Sequence, residues 1–171
     1  MDVTVRRLVV VDAEALRRLR LEALAAAPEA FNSSYDEEAA RPFAWFESVA
    51  TGPDRNAMFG AFHEGALVGM AGFVAAERPK ERHKGTLVGV YVQPAFRRRR
   101  LARRLVEAVI AHAAGHVGVL NATVGAGNEP ARALYRDLGF TTYGTEPQAL
   151  SVGGRLIAND LIQLDLANPR R

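Results

Sequence analysis

Residues 90–110, VYVQPAFRRRRLARRLVEAVI, join a strand-like run to a proline turn, four consecutive arginines and an amphipathic helix. Leu101, Leu105 and Val109 are four apart, and Ala102, Val106 and Ile110 widen the same apolar stripe. The spacing predicts a helix that starts near Arg98 and is closed by Gly115. A strand that turns through Ala95 and Phe96 into such a helix leaves unpaired backbone N–H groups pointing out of the helix N-terminus. Cations at that end oppose the helix dipole, so Arg97, Arg98, Arg99 and Arg100 are out of place unless an anion binds there. Free N–H donors and guanidinium groups together suit a phosphate. Arg103, Arg104 and Glu107 lie opposite the apolar stripe and read as a solvated face.

The basicity is local. The chain carries 22 Lys+Arg against 19 Asp+Glu, and without the six arginines at 97–100, 103 and 104 the balance is 16 against 19. A mildly acidic remainder favours a compact anion site over a broad nucleic-acid surface. No aromatic platform interleaves with the arginines and no recognition-helix pattern is present, so no nucleic-acid partner is expected. Cysteine is absent, which excludes disulfides and thiolate metal sites. The start, MDVTVRRLVVVDAEAL, lacks the apolar core of a signal peptide, and no stretch approaches membrane-spanning length. The expectation is a cytoplasmic protein with no membrane partner, folded as a single domain over residues 1–171.

Working outward, residues 3–10 alternate like a strand, and Asp12 is placed to cap a helix with Leu16, Leu19, Ala23 and Leu24 on one face. Pro28 ends it. The polar run NSSYDEEAAR, residues 32–41, reads as a loop or irregular turn. Pro42 suits the first turn of a short helix carrying Phe43, Trp45, Phe46 and Val49. Two strands flank a Glu64-Gly65 hairpin, and a third follows at residues 86–93. Beyond the arginine helix come a strand at 117–124 and a helix opened by Asn128, with Ala131, Leu134, Tyr135 and Leu138 on one face. Gly139 is placed as its C′ residue, and a last hairpin turns at Gly153-Gly154. The order β-α-α-β-β-β-α-β-α-β-β predicts a mixed sheet with helices packed on it.

Two of these segments resemble the signatures of the GNAT superfamily of acyl-CoA-dependent N-acetyltransferases. VYVQPAFRRRRLARRLVEAVI is similar to the segment in which a bulged strand leads through V-x-P-x-[YF]-R-G-x-G-[IV]-[GA] into a helix that cradles the CoA pyrophosphate. NEPARALYRDLGF, residues 128–140, resembles N-x-x-A-x-x-x-Y-x-x-x-G-F, and RLRLEALAAAPEAFNSSYDEE, residues 18–38, resembles the substrate-side helices of many members. The family's glycines fall at Arg98 and Arg100, while Ala102 keeps a permitted small residue. The resemblance implies an α/β (α+β) fold: a mixed, largely antiparallel sheet of about seven strands and about four helices, with two splayed central strands forming a cofactor slot.

The resemblance also implies acetyl-CoA as co-substrate and direct attack of a primary amine on the thioester. The backbone of Val90, Tyr91 and Val92 would hold the acetyl and pantetheine groups. Arg97, Arg98, Arg99, Arg100, Leu101 and Ala102 would surround the phosphates, and Asn128 and Ala131 would touch the cofactor. Tyr135 aligns with the tyrosine that many members use as general acid toward the departing thiolate; taken alone, its place beside Leu134 and Leu138 reads as core packing. Residues 85–93 carry no carboxylate for a general base, and Asp36, Glu77, Glu81 and His83 remain alternatives acting through water. Glu29, Asp36, Glu37 and Glu38 would suit a cationic amine, either a small molecule or a protein. A homodimer is one assembly the sequence leaves open.

Two rival functions follow from other features. Arg98 and Arg100 at glycine positions are compatible with a non-catalytic acyl-CoA-binding or regulatory module. Gly125-x-Gly127 before a helix imitates a dinucleotide fingerprint, but the third glycine is Pro130 and little chain remains for a doubly wound sheet. His112 and His116 have helical metal-ligand spacing without a third ligand, so no metal site is expected.

Overall fold

The computed structural model describes residues 2–53 and 55–167. The order is β1 (Thr4–Arg7), α1 (Ala13–Ala26), α2 (Tyr35–Ala39), α3 (Phe43–Thr51), β2 (Ala57–His63), β3 (Ala66–Ala75), β4 (Lys84–Val92), α4 (Leu101–Ala114), β5 (Val119–Gly125), α5 (Glu129–Asp137), β6 (Thr141–Val152) and β7 (Arg155–Asp165). The seven strands form one sheet in the order β1-β2-β3-β4-β5-β7-β6. Neighbours are antiparallel except β4 and β5, which run parallel. Glu64 and Gly65 turn the first hairpin with φ of 49° and 82°, and Gly153 and Gly154 turn the last with 55° and 78°, the left-handed geometry that tight hairpins require.

Alternation along the strands divides the core between the two faces of the sheet. One face packs Leu101, Leu105, Val106, Val109 and Ala113 of α4 with Phe73, Leu87, Val92 and Tyr135. The other packs Leu16, Leu19, Ala23 and Leu24 of α1 with Phe46, Met70 and Tyr91. Each fully buried leucine or valine contributes about 1.5–3 kcal/mol, so the apolar periodicity of α1 and α4 accounts for their docking.

Three local expectations are corrected. Residues 32–41 contain α2, a helix of five residues, rather than only a loop, which brings the α-helices among the described residues to five. Ser34 Oγ accepts the Glu37 N–H at 3.2 Å while the Glu37 carboxylate accepts the Ser34 N–H at 2.6 Å, a reciprocal cap that nucleates the turn. Asp12 precedes α1 but makes no side-chain cap; its carboxylate takes two bonds from Arg6, at 2.7 and 2.9 Å, and the Val9 N–H at 2.9 Å. The Arg6 hydrogen bonds hold that carboxyl below its usual range, against the opposing effect of burial. Finally, α4 begins at Leu101 and not near Arg98, because Arg98 and Arg100 take left-handed φ values of 60° and 59° and break the helical path.

The strand irregularities are what open the sheet. β4 and β5 pair only where Lys84, Gly85 and Thr86 face Val119, Leu120 and Asn121, and beyond that they diverge. On its other side β4 bulges against β3: Gly72 faces Val88 while Met70 faces Tyr91, which leaves one extra residue on β4. Gly89, within the bulge, has a φ of 63°.

Candidate active site

The divergence of β4 and β5 produces a cleft of about 1820 Å³. Its walls are residues 86–92 of β4, residues 123–128 at the end of β5, the start of α4, one face of α5, the turn at 28–33 and the turn end of the β6–β7 hairpin. Of the residues expected from sequence, Val90, Tyr91 and Val92 line it, as do Arg97, Arg98, Arg100, Leu101 and Ala102. Asn128, Ala131 and Tyr135 complete the set on the α5 side. Arg99 is the exception among the lining candidates: its guanidinium lies over the Phe96 ring at 5.8 Å.

The arginine turn forms one end. After the short turn Pro94–Phe96, the first hydrogen bond of α4 runs from the Arg104 N–H to the Arg100 carbonyl at 3.0 Å. The N–H groups of Leu101, Ala102 and Arg103 therefore precede the helical ladder and have no intrahelical acceptor. They carry the positive end of the dipole of a helix of 14 residues. The arginines divide their labour. Arg97 donates through Nε to the Val92 carbonyl at 3.0 Å and so fastens the end of β4. Arg103 pairs with Glu107 at 2.9 Å, and Arg104 donates to the Val3 carbonyl at 2.9 Å. Arg98 and Arg100 are exposed on the turn and line the cleft.

On the α5 side Asn128 Oδ1 accepts the Ala131 N–H at 3.2 Å and caps the helix. Tyr135 is 7% exposed, with its ring edge-on to Phe140 at 5.5 Å. Gly139, at a φ of 93°, lets the Phe140 N–H return to the Tyr135 carbonyl at 3.0 Å, and this closure holds the two rings together. Burial pushes the Tyr135 hydroxyl up to about 12, so it stays protonated at any working pH.

Tyr91 contributes differently from its neighbours. Its side chain turns away to the α1 face, where its hydroxyl donates to Glu22 at 3.1 Å, and Gln93 donates to the same carboxylate at 2.8 Å. Burial, then the Glu22 bond, raises its pKa. The cleft thus receives Tyr91 mainly as backbone.

The candidate bases lie elsewhere. Glu77, Glu81 and His83 surround the start of β4, at the closed end where the His83 carbonyl accepts the Gly118 and Val119 N–H groups. Asp36 is exposed on α2 and does not line the cleft. The acidic run expected to attract a cationic amine is also engaged otherwise. Glu37 caps α2, Glu38 is buried against Arg20, and Glu29 pairs with Arg155 across the cleft mouth. His112 and His116 stack at 4.4 Å and each bonds a carbonyl, of Arg55 at 2.7 Å and of His112 at 2.8 Å.

Sequence reasoning placed Arg20 and Phe31 in a run resembling substrate-side helices without singling them out, and it missed Gly89 and Asn159; all four line the cleft. The positive φ at Gly89 had a signal in the sequence, a glycine interrupting a β-branched run; the others carry none of their own, because they arrive from distant elements.

A sheet with one parallel pair and a Pro130 helix start is not a doubly wound dinucleotide fold. Comparison with solved structures instead finds N-acetyltransferase from Staphylococcus aureus Mu50 at a TM-score of 0.81, 21% identical, covering 97% of this chain and 99% of that one. yncA from Salmonella typhimurium, solved with its cofactor acetyl-CoA, superposes at 0.80 with 24% identity and coverage of 97% and 95%. Ribosomal-protein-alanine N-acetyltransferase from Brucella melitensis gives 0.79 with 26% identity and coverage of 95% and 99%. No curated protein sequence matches the chain. The model of the acetyltransferase (GNAT) family matches residues 16–140, nearly three quarters of the sequence, and this chain belongs to that family.

Proposed function

We propose that the chain, acting as a single domain, moves an acetyl group from acetyl-CoA to a primary amine. The observation that carries this reading is the slot between β4 and β5, with a phosphate-suited turn at one end and a buried tyrosine on its side. Because β4 and β5 pair only at residues 84–86, the β5-facing edge of β4 at 90–92 is left to hydrogen-bond the amide-rich pantetheine arm and the thioester oxygen. Arg98, Arg100 and the N–H groups of Leu101 and Ala102 bind the pyrophosphate, and Asn128 and Ala131 border the arm.

The neutral amine attacks the thioester carbon, the C–S bond breaks, the electron pair leaves with sulfur, and the new ammonium proton goes to water. Water is the acceptor because the cleft-lining carboxylates, Glu29 and Asp137, belong to the mouth turn and the end of α5 rather than to β4. The test is thiol release from acetyl-CoA against a panel of amines. Amine-dependent release is the expected result; acetyl-CoA binding without it would leave a non-catalytic acyl-CoA module.

Arg98→Gly with Arg100→Gly separates the two things these residues do. Relief of two left-handed non-glycine residues, less the greater unfolded freedom of glycine, should stabilise the fold by about 1–2 kcal/mol. For a chain of this size the melting temperature then rises by roughly 2–8 °C. Acetyl-CoA binding should at the same time lose part of its salt dependence, since charge-assisted contacts at the surface are screened by ions. Calorimetry across a salt series checks this, and an unchanged slope would make the arginines bystanders.

A further inference from the structure

The α1 side of the cleft carries one arginine that no phosphate reading uses. Arg20 projects from α1 with its side chain 18% exposed, and Glu38 of α2 grips it through two bonds, from Nε at 2.8 Å and from Nη2 at 2.6 Å. Glu38 is itself 3% exposed, and the Phe31 ring lies under the guanidinium at 4.8 Å. A clamp of this kind immobilises the fork. It leaves Nη1 directed at the β4 bulge, 3.1 Å from where a Cβ on Gly89 would stand, with nothing else within 4 Å of that point. Both of the Glu38 bonds come from Nε and Nη2, so Nη1 is outside the clamp. A held, partly desolvated donor beside the opened strand is a binding group for an anion or a carbonyl.

The opposite wall supplies the complementary group. Asn159 of β7 is 6% exposed and lines the same cleft. It stands on the sheet face opposite its neighbour Asp160, which meets Arg132 of α5 at 2.9 Å, so Asn159 faces the α1 side. Its Oδ1 is buried without a hydrogen-bond partner among the described residues. A buried orphan acceptor costs free energy unless a bound N–H satisfies it.

We infer that the acceptor is a small amine bearing a carboxylate, with Arg20 Nη1 receiving the carboxylate beside Gly89 and Asn159 Oδ1 receiving an N–H of the amine. The inference rests on the acetyl-transfer reading and deepens it. Polycationic acceptors fit less well, because Glu29, Glu37 and Glu38 are already bonded to Arg155, Ser34 and Arg20, which leaves Asp137 as the cleft-lining carboxylate without one of these bonds. The clamp also explains why α2 exists where a loop would connect the chain equally well: it delivers Glu38 to Arg20.

The experiment is a comparison of free L-amino acids, their amides, simple alkylamines and spermidine as acceptors with acetyl-CoA. A free amino acid should be the best acceptor, with kcat/KM about ten- to hundredfold above its own amide, the usual scale for a charge-assisted hydrogen bond. Spermidine, an alkylamine or an amide matching it would overturn the anionic acceptor while leaving acetyl transfer intact. If acetyl-CoA does not bind at all, the transfer reading itself fails. If acetyl-CoA binds without turnover, calorimetry of free amino acids into the CoA complex decides, and absence of heat overturns the inference. Arg20→Gln with Glu38→Gln keeps a hydrogen-bonding pair without a lone buried charge, and its folding is checked by thermal melting. The amino-acid-to-amide ratio should collapse toward one in this variant. Should it not fold, Arg20→Lys keeps the charge, loses the fork and lowers the same ratio. A ratio unmoved by either change would overturn the role of Arg20.

Discussion

Tyr135→Phe is expected to lower kcat about 10²-fold, with acetyl-CoA affinity and melting temperature nearly unchanged. A positioned general acid contributes about 10²–10⁴-fold, and the lower end applies here for a physical reason. Burial places the phenol at about 12, whereas an ordinary thiol titrates at about 8.5, so full proton transfer to the departing sulfur is uphill by several kcal/mol. In the proposed reaction the hydroxyl would therefore act chiefly as a neutral donor whose hydrogen bond strengthens as negative charge grows on sulfur. It remains protonated throughout, so the pH–rate profile should show no limb from Tyr135 between about pH 6 and 10. Phenylalanine keeps the ring packed edge-on against Phe140 and deletes one oxygen. The loss should shrink with an acyl donor whose thiol is more acidic, because that sulfur needs less help to leave. Unchanged turnover with a lowered melting temperature would make Tyr135 a core residue and leave the thiolate to solvent.

What was legible in the sequence was whatever a helix terminus or a strand period writes locally. Asn128, Gly139 and Phe140 announce the start and end of α5 within a dozen residues, and the structure places their bonds where capping chemistry requires. The Ser34–Glu37 cap was equally local, yet the acidic run that follows resembles solvated loop, and α2 was missed for that reason. The individual roles of Arg20 and Asn159 were invisible for a different cause. Each has an ordinary place in its own helix or strand, and each acquires its chemistry from partners that only the fold brings close: Glu38 and the Gly89 bulge for one, an orphaned position in the cleft for the other. Arg98 and Arg100 are the converse case. Residue type argues against left-handed backbone there, and the turn adopts it nonetheless, because the chain must leave β4 and enter α4 in a short space.

Removing the nucleotide from the acyl donor should cost the largest affinity in the system. Acetyl-pantetheine is expected to bind about 10²–10⁴-fold more weakly than acetyl-CoA, and acetyl-phosphopantetheine to recover part of the difference. At the N-terminus of α4 the N–H groups of Leu101, Ala102 and Arg103 stand ahead of the first helical bond at Arg104. A phosphate oxygen there meets donors already fixed in direction, so little ordering remains to be done on binding. Hydrogen bonds to a charged group contribute about 1.5–3 kcal/mol each, and two of them, discounted for the desolvation of an exposed turn, span the expected range. Arg97 and Arg104 cannot supply the effect through the bonds they make here, because the Val92 and Val3 carbonyls hold them. Most of the loss should consequently follow the phosphates rather than the adenine, and it should narrow as salt is raised through the range where the Debye length falls below about 10 Å. Calorimetry with the three donors measures both trends. Equal affinity for acetyl-pantetheine and acetyl-CoA would remove the phosphate role from the arginine turn, and the strained backbone at Arg98 and Arg100 would then serve only to carry the chain from strand to helix.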